Sequence, residues 1–471
     1  MGAFSFSTTA PEKLQDKYDV VIVGSGGATG LTCALQAHEL GLQPLVVEKM
    51  AKIGGNTNRA SSGMNAAETN VQLQHGIVDS FAEFYQETYH GGGGYLNDPQ
   101  LLRYFSTHAV LALDWLSAHG IELSDLTLTG GMSKKRAHRP ASTAPIGGAF
   151  LIQGLLQALQ QQKIPLVTET TVTRLLRSTS GATQGVEVKF ADGTKKTLHS
   201  KVVVLATGGF GASKELLQKY RPDLLGYRTT NHAGATGGDG LRLAHQVGAE
   251  LMQMNLIQVH PTVQQDNPPH AFLIGEAVRG EGALLVSKGK RFVNELDTRR
   301  IVSNQITALP EKSAYLVFDQ QVRERVKAID FYLKIGLVVT ASSIAELAQK
   351  VGFEVAKLEE TVKTWNQAVE RGLDPQFGRT TGFGNGLTTA PYYAIHVAPA
   401  VHYTMGGIHI NEKTQVLDGN GGDVIPGLLA AGGEVAGGLH GNNRIGGNSI
   451  AETIVFGRQA GQQAKVFTEQ G

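Results

Sequence analysis

The chain has 471 residues, 59 of them Gly and one Cys, with a formal net charge of +1. Apolar residues make up 41% and charged residues 18%, which excludes a disordered chain, and the balanced charge gives no electrostatic reason for a nucleic-acid partner. Glycine is about one residue in eight, against a usual ~7%, without a collagen period, so the fold must bring backbone close to a ligand repeatedly. The first 16 residues lack a basic segment followed by a long apolar one, and no apolar run approaches the ~18 residues of a membrane span. The expectation is a cytoplasmic protein without a transmembrane segment. Tyr18–Val23 is β-branched and apolar, as in a buried parallel strand. Cys33 lies in the helix-like stretch that follows, where Leu31, Ala34, Leu35 and His38 share a face up to Gly41. As the sole cysteine it excludes an intrachain disulfide, a Cys-based zinc or iron–sulfur site and c-type haem attachment. No metal is expected, and redox chemistry must use an organic cofactor or an outside centre.

Between that strand and helix lies Gly24-Ser-Gly-Gly27, and Pro44–Glu48 supplies a second strand, completing a βαβ unit. A helix N-terminus with glycines before it lets a pyrophosphate approach, and Glu48 can accept hydrogen bonds from a ribose. The fingerprint departs in one place: Thr29 stands where the third glycine is expected, and Gly30 comes one residue late. Similar strand-to-glycine transitions recur at Val202–Gly209 and Gly427–Glu434. Residues 1–251 and 392–471 therefore read as one discontinuous nucleotide-binding domain, and 252–391 as an inserted domain with helices over Ser342–Lys350 and Val355–Arg371. Further glycine-rich turns at Gly54-Gly55, Gly432-Gly433 and Gly446-Gly447 favour FAD, a cofactor long enough to cross a domain.

Ten segments occur in one order: YDVVIVGSGGATG, VEKMAKIGGNTNRASSGMNAA, RAHRP, VVLATGGFG, GATGGDG, HPT, GEAVRGEGALLV, KRFVNELDTR, HYTMGGIHI and HGNNRIGGNSI. Together, from Tyr18 to Ala464, they resemble the flavoprotein of the soluble fumarate reductases, within the flavocytochrome c and fumarate reductase/succinate dehydrogenase flavoprotein family. The resemblance implies an α/β fold with a Rossmann-like FAD-binding domain and an inserted α+β capping domain. It implies FAD contacts from Gly24, Gly26, Gly27, Ala28, Glu48, Lys49, Gly55, Asn56, Ser62, Gly63, Met64, Ala206, Thr207, Gly208, Asp239, Glu434, Asn448, Ser449 and Ile450. Relatives that attach FAD covalently do so on a histidine after the ribose acid. No His occurs between His38 and His75, so non-covalent FAD is expected, and with one Cys and little N-terminal length a haem domain is not.

The same resemblance implies the chemistry. His260, His402 and Arg444 match positions that bind substrate carboxylates, and Arg299 matches the proton donor. Glu276 and Arg279 match the relay that reprotonates it. Hydride from flavin N5 and a proton from Arg299 would convert fumarate to succinate, with electrons from an external donor such as a reduced flavin, a quinol or a reductase partner. The substrate side departs from the pattern: Gly275 stands where a substrate-contacting Thr is usual, Leu273 where a Met is, and Arg300 where an Asp is. The segment Thr262–Phe272, with Pro268, Pro269 and His270, is also longer. Reduction of another unsaturated acid (urocanate, acrylate, methacrylate), amino-acid oxidation, a ketosteroid dehydrogenase and a flavin electron-transfer subunit without turnover are the rival expectations. Paired cationic groups favour the dicarboxylate.

Overall fold

A computed structural model describes residues 5–25, 27–60, 63–141, 147–266, 271–433 and 435–470. The apolar run Lys17–Val23 is central to its first sheet, with Val20, Val21 and Ile22 fully buried, as a parallel strand covered on both faces requires. It pairs in parallel with Pro44–Val47 on one side and Lys195–Leu205 on the other. Val424–Ala430 adds in parallel beyond Lys195–Leu205. The three strand-to-glycine transitions thus lie side by side at one end of the sheet, although more than 200 residues separate the last two. Leu166–Val167 and Gln415–Leu417 form the edges, and the hairpin Thr171–Arg177 with Thr183–Lys189 pairs antiparallel to Lys195–Leu205.

The first helix, Ala28–Glu39, packs against the C-terminal helix Asn448–Gln470. Close packing is possible because Gly457 and Gly461 face Thr29 and Cys33: an added Cβ would stand 2.9 Å from one carbonyl and 3.0 Å from the other. The departure at Thr29 has a local explanation. Gly30 is the glycine that lies against the Gly24 carbonyl, and the Thr29 side chain fills the space left by Gly432. Gly30 and Gly432 thus provide the two close approaches on either side of Thr29.

A second, antiparallel sheet runs in the order Phe272–Leu273, Ile257–Gln264, Tyr392–Thr404, Ala314–Asp319, Leu284–Ser287 and Lys290–Arg291, with Val339–Ala341 also on Tyr392–Thr404. Helices Ile344–Lys350 and Val355–Arg371 cover it where the periodicity predicts them; Ser343 caps the first by accepting from the Glu346 N–H. The expected return to the first unit at residue 392 does not match this pairing. Tyr392–Thr404 is an inner strand of the second sheet, because its alternating apolar residues complete that unit's core, so the inserted unit continues past 391. Among the described residues no helix is long and apolar enough to cross a membrane.

Candidate active site

A cavity of about 750 Å³ runs from the carboxyl ends of the first sheet's strands to the second sheet. This is the crevice where ligands bind in open α/β folds. At the first end, Glu48 terminates the second strand and accepts from Ser25 N (2.9 Å), Ser25 Oγ (2.5 Å) and Met50 N (2.8 Å). Lys49 and Asp239 form an ion pair in the wall. Asn56 is held by Asn231 (Nδ2 to Oδ1, 2.8 Å) and accepts from the His232 N–H at 2.9 Å.

Of the residues assigned to the cofactor, Gly24, Gly27, Glu48, Lys49, Gly55, Asn56, Thr207, Gly208, Asp239, Ser449 and Ile450 line the cavity. Ala28, Gly63, Met64, Ala206 and Asn448 are buried behind its wall instead. Asn448, for example, accepts from Asn65 Nδ2 at 2.7 Å and donates to Thr88 Oγ1 at 3.4 Å, which makes it a brace beneath the turn. Gly26, Ser62 and Glu434 lie outside the described residues, as do Pro268, Pro269 and His270.

The far end gathers cations. Arg299 begins the helix Arg299–Ala308, and Thr298 caps it by accepting from Ile301 N. The Arg299 guanidinium grips Glu276 in a fork, Nε to Oε1 at 2.7 Å and Nη2 to Oε2 at 3.0 Å. Glu276 opens the short helix Glu276–Gly280, so Arg279 lies one turn on and donates to the same Oε1 at 2.9 Å. Burial opposes ionisation of Glu276, but the charges of Arg299 and Arg279 outweigh it and hold the carboxyl at about 2. Burial pulls the Arg279 guanidinium below its ordinary value.

On the facing strand, His402 Nε2 lies 2.7 Å from Arg444 Nη2 and its Nδ1 2.8 Å from Thr230 Oγ1. Arginine can only donate, so Nε2 accepts and the proton of the neutral ring sits on Nδ1. Arg444 also stacks over the Tyr403 ring, 4.5 Å from its centroid. The His260 ring stands edge-on to His402 at 5.0 Å. Its Nδ1 accepts from the Thr262 N–H at 3.2 Å, which leaves the proton on Nε2, a fully buried donor without a protein partner. Burial first, then the neighbouring cations, depress both histidines well below their ordinary value. Both rings are therefore neutral hydrogen-bond donors or acceptors, not charges.

Gly275 does not line the cavity: it is buried, with its N–H donating to Tyr332 Oη at 3.2 Å, while Leu273, Tyr332 and Glu276 form the wall there. Gln258 and Thr230 were not foreseen. Gln258 accepts from Arg299 Nη1 at 3.1 Å and donates to the Arg444 carbonyl at 2.9 Å, tying the two arginines together. Its position two residues before His260 on one strand was the available signal. Thr230 had none, because it reaches His402 only through tertiary contact.

A family model for the FAD binding domain matches residues 19–450. The chain is 48% identical over 448 residues to the NADH:fumarate oxidoreductase of Klebsiella pneumoniae, covering 95% of this chain and 47% of that protein. It is 41% identical over 456 residues to the fumarate reductase (cytochrome) of Shewanella frigidimarina, covering 97% of this chain and 78% of that one. The chain belongs to the fumarate reductase flavoprotein family. A solved member, the open conformation of a flavocytochrome c3 fumarate reductase, superposes with a TM-score of 0.76 at 36% identity, over 97% of this chain and 79% of that chain. This family of FAD-binding oxidoreductases acts on carbon–carbon double bonds. The chain spans about half the length of its Klebsiella relative.

The residues present fit the family's cofactor. Gly24, at φ +92°, passes so close to the next strand that an added Cβ would stand 2.7 Å from the Ala206 carbonyl. The helix behind it starts after Gly27, which offers no side-chain cap; the Ala28 N–H donates to Thr57 Oγ1 at 3.3 Å and the Gly30 N–H to the Ser25 carbonyl at 3.2 Å. Glu48 lines the cavity at this end, and the same cavity reaches His402.

Proposed function

We propose that this protein reduces fumarate to succinate, with FAD held non-covalently in the cavity and electrons drawn from an external reductant such as a reduced flavin, a quinol or a reductase partner. The observation that carries this reading is the grouping of Arg299, Arg444, His260 and His402 at one end, with Glu276 the single carboxylate of that wall among the described residues. Two guanidiniums already neutralise Glu276, so the site retains cationic character suited to a dianion. The absence of any histidine from 39 to 74 supports non-covalent attachment.

When bound and reduced by the external donor, FAD would supply the hydride that one carbon of the double bond accepts. Arg444, oriented by His402 Nε2, holds one substrate carboxylate, and His260 with Arg299 holds the other, the buried His260 Nε2–H gaining the partner it lacks. Clamping both ends draws electron density toward the carboxylates as hydride arrives. An Arg299 N–H then delivers the proton to the other carbon, which balances the reaction: double bond, hydride and proton give succinate. Arginine normally keeps its proton; this one is already in contact with Glu276, the group that replaces the proton it gives up. Once Arg299 is neutral, the strongest cation holding Glu276 ionised is gone, so the carboxyl gains proton affinity at the moment it must pass a proton through Oε1 or Oε2. Burial of the whole set excludes water from competing.

The test is to reduce the purified holoprotein anaerobically and add fumarate, urocanate, acrylate or a steroid enone separately. Rapid flavin reoxidation by fumarate is expected. Reoxidation by none of the acids, with FAD bound, overturns the proposal; reoxidation by another acid alone reassigns the substrate.

A further inference from the structure

Six cationic side chains but three carboxylates line the cavity among the described residues. Glu48, Asp239 and Glu276 each serve a partner named above, and Arg299 and Arg444 belong to the buried end. Two of the remaining cations, Arg59 and Arg228, have no role in those contacts. Arg59 is exposed and Arg228 half-buried, so both stand where the cavity meets solvent. Neither has a carboxylate within 4.0 Å among the described residues. Asp266, the residue after the Gln265 that Arg228 contacts, is turned to His396 at 2.6 Å.

Each guanidinium is fixed by a backbone carbonyl, and the 228–230 segment takes part in both arrangements. Arg59 Nη1 donates to the Thr230 carbonyl at 3.2 Å, and Thr230 Oγ1 is the partner of His402 Nδ1. The Arg228 carbonyl accepts from the Val401 N–H at 2.8 Å, the residue before His402, and its Nη1 donates to the Gln265 carbonyl at 3.0 Å. Thr229 pairs in parallel with Val401. The segment 228–230 thus bears Arg228, anchors Arg59 through the Thr230 carbonyl, and supports the buried His402–Arg444 pair through the Thr230 hydroxyl. Arg59 and Arg228 at the mouth and Arg299 and Arg444 at the end line the same cavity.

We propose that Arg59 and Arg228 form an entry station for the substrate dianion, capturing a carboxylate at the mouth and passing it to His402 and Arg444. A cleft lined by one sign of charge raises the local concentration of the opposite ion and its arrival rate, and salt screens the effect. The two arginines are substrate-recruiting residues and take no part in the chemistry. The inference rests on the proposed dicarboxylate reductase activity.

The experiment measures kcat/KM for fumarate, and the association rate of succinate followed by flavin absorbance, from about 10 mM to about 300 mM salt. It compares the wild-type holoprotein with R59Q/R228Q. At low salt the variant is expected to lose about tenfold in both quantities, with a flatter salt dependence and a smaller change for acrylate, a monoanion. Turnover at saturating fumarate and FAD content per chain should change less than about twofold, a split that general misfolding would not produce. Unchanged rates and salt slope overturn the inference. Loss of FAD content also overturns it, because the arginines would then hold the cofactor. If the wild type reduces a different acid, the dicarboxylate proposal fails, while the salt slope with that acid and the succinate association rate still test the two arginines.

Discussion

Arg299 and Glu276 form a two-point ion pair, Nε to Oε1 at 2.7 Å and Nη2 to Oε2 at 3.0 Å, with the carboxylate at 2% side-chain exposure. A fork of this kind fixes orientation as well as charge. It leaves Nη1, now donating to Gln258 Oε1, as the part of the guanidinium outside the pair.

Arg299→Lys keeps a positive charge but loses the fork. If Arg299 delivers the proton, kcat falls by about 10²–10⁴ while succinate binding is retained. Glu276→Gln, unable to carry a proton between guanidiniums, should fall within the same range. Near-normal turnover in the lysine variant would reduce Arg299 to an electrostatic clamp. Steady-state assays paired with succinate titration of the bound flavin separate these outcomes.

His260 and His402 are held neutral well below 6.5, and His138, largely through burial, at about 4. The unfolded chain protonates all three near 6.5, so below that pH it binds protons that the folded chain refuses. Stability is therefore full above about pH 7 and falls as pH drops, by about 1.4 kcal/mol per pH unit for each histidine. Thermal melts between pH 7.5 and 5.5 should show the decline, and His402→Asn should make it shallower. An unaltered slope in the variant would place a charged ring at that site.

Tyr332→Phe removes the acceptor of the Gly275 N–H, leaving a buried donor one residue before Glu276. The cost is about 1–3 kcal/mol. Because the displaced segment carries Glu276, kcat should fall severalfold with a lower melting temperature. A variant with unchanged kcat would show that Glu276 is positioned by its two arginines alone.

Gly432→Ala places a methyl against the Thr29 side chain at a residue whose φ is +87°. Both the collision and the backbone conformation oppose it, so FAD content and melting temperature should drop together. Adding Thr29→Gly relieves the collision but not the strained φ. Partial recovery of FAD content is the expected result, and none would mean that φ alone dominates.

Much of the flavin side was legible because its signals are short-range. Residues 18–48 contain strand, glycine turn, helix and carboxylate in one βαβ unit, and Glu276 with Arg279 meet across one helical turn. The places where expectation and structure differ all depend on distant chain. Asn448, Met64 and Ala206 lie in the expected motifs but are buried outside the cavity lining, since a motif does not reveal which side of a turn its neighbours bury. Gly275 lies behind the wall because Tyr332, 57 residues on, takes the space in front.

The local elements, the family and the inventory of charges follow from the order of residues alone, because apolar alternation, glycine placement and side-chain chemistry are properties of neighbours in the chain. The membership of Tyr392–Thr404 in the second sheet, the support of His402 and Arg299 by Thr230 and Gln258, and the packing of Thr29 into the space at Gly432 emerge only on folding. Those relationships arise when strands far apart in the chain pair and bury a common core. Burial then turns scattered arginines and histidines into one site, with an ionised Glu276 and neutral imidazoles.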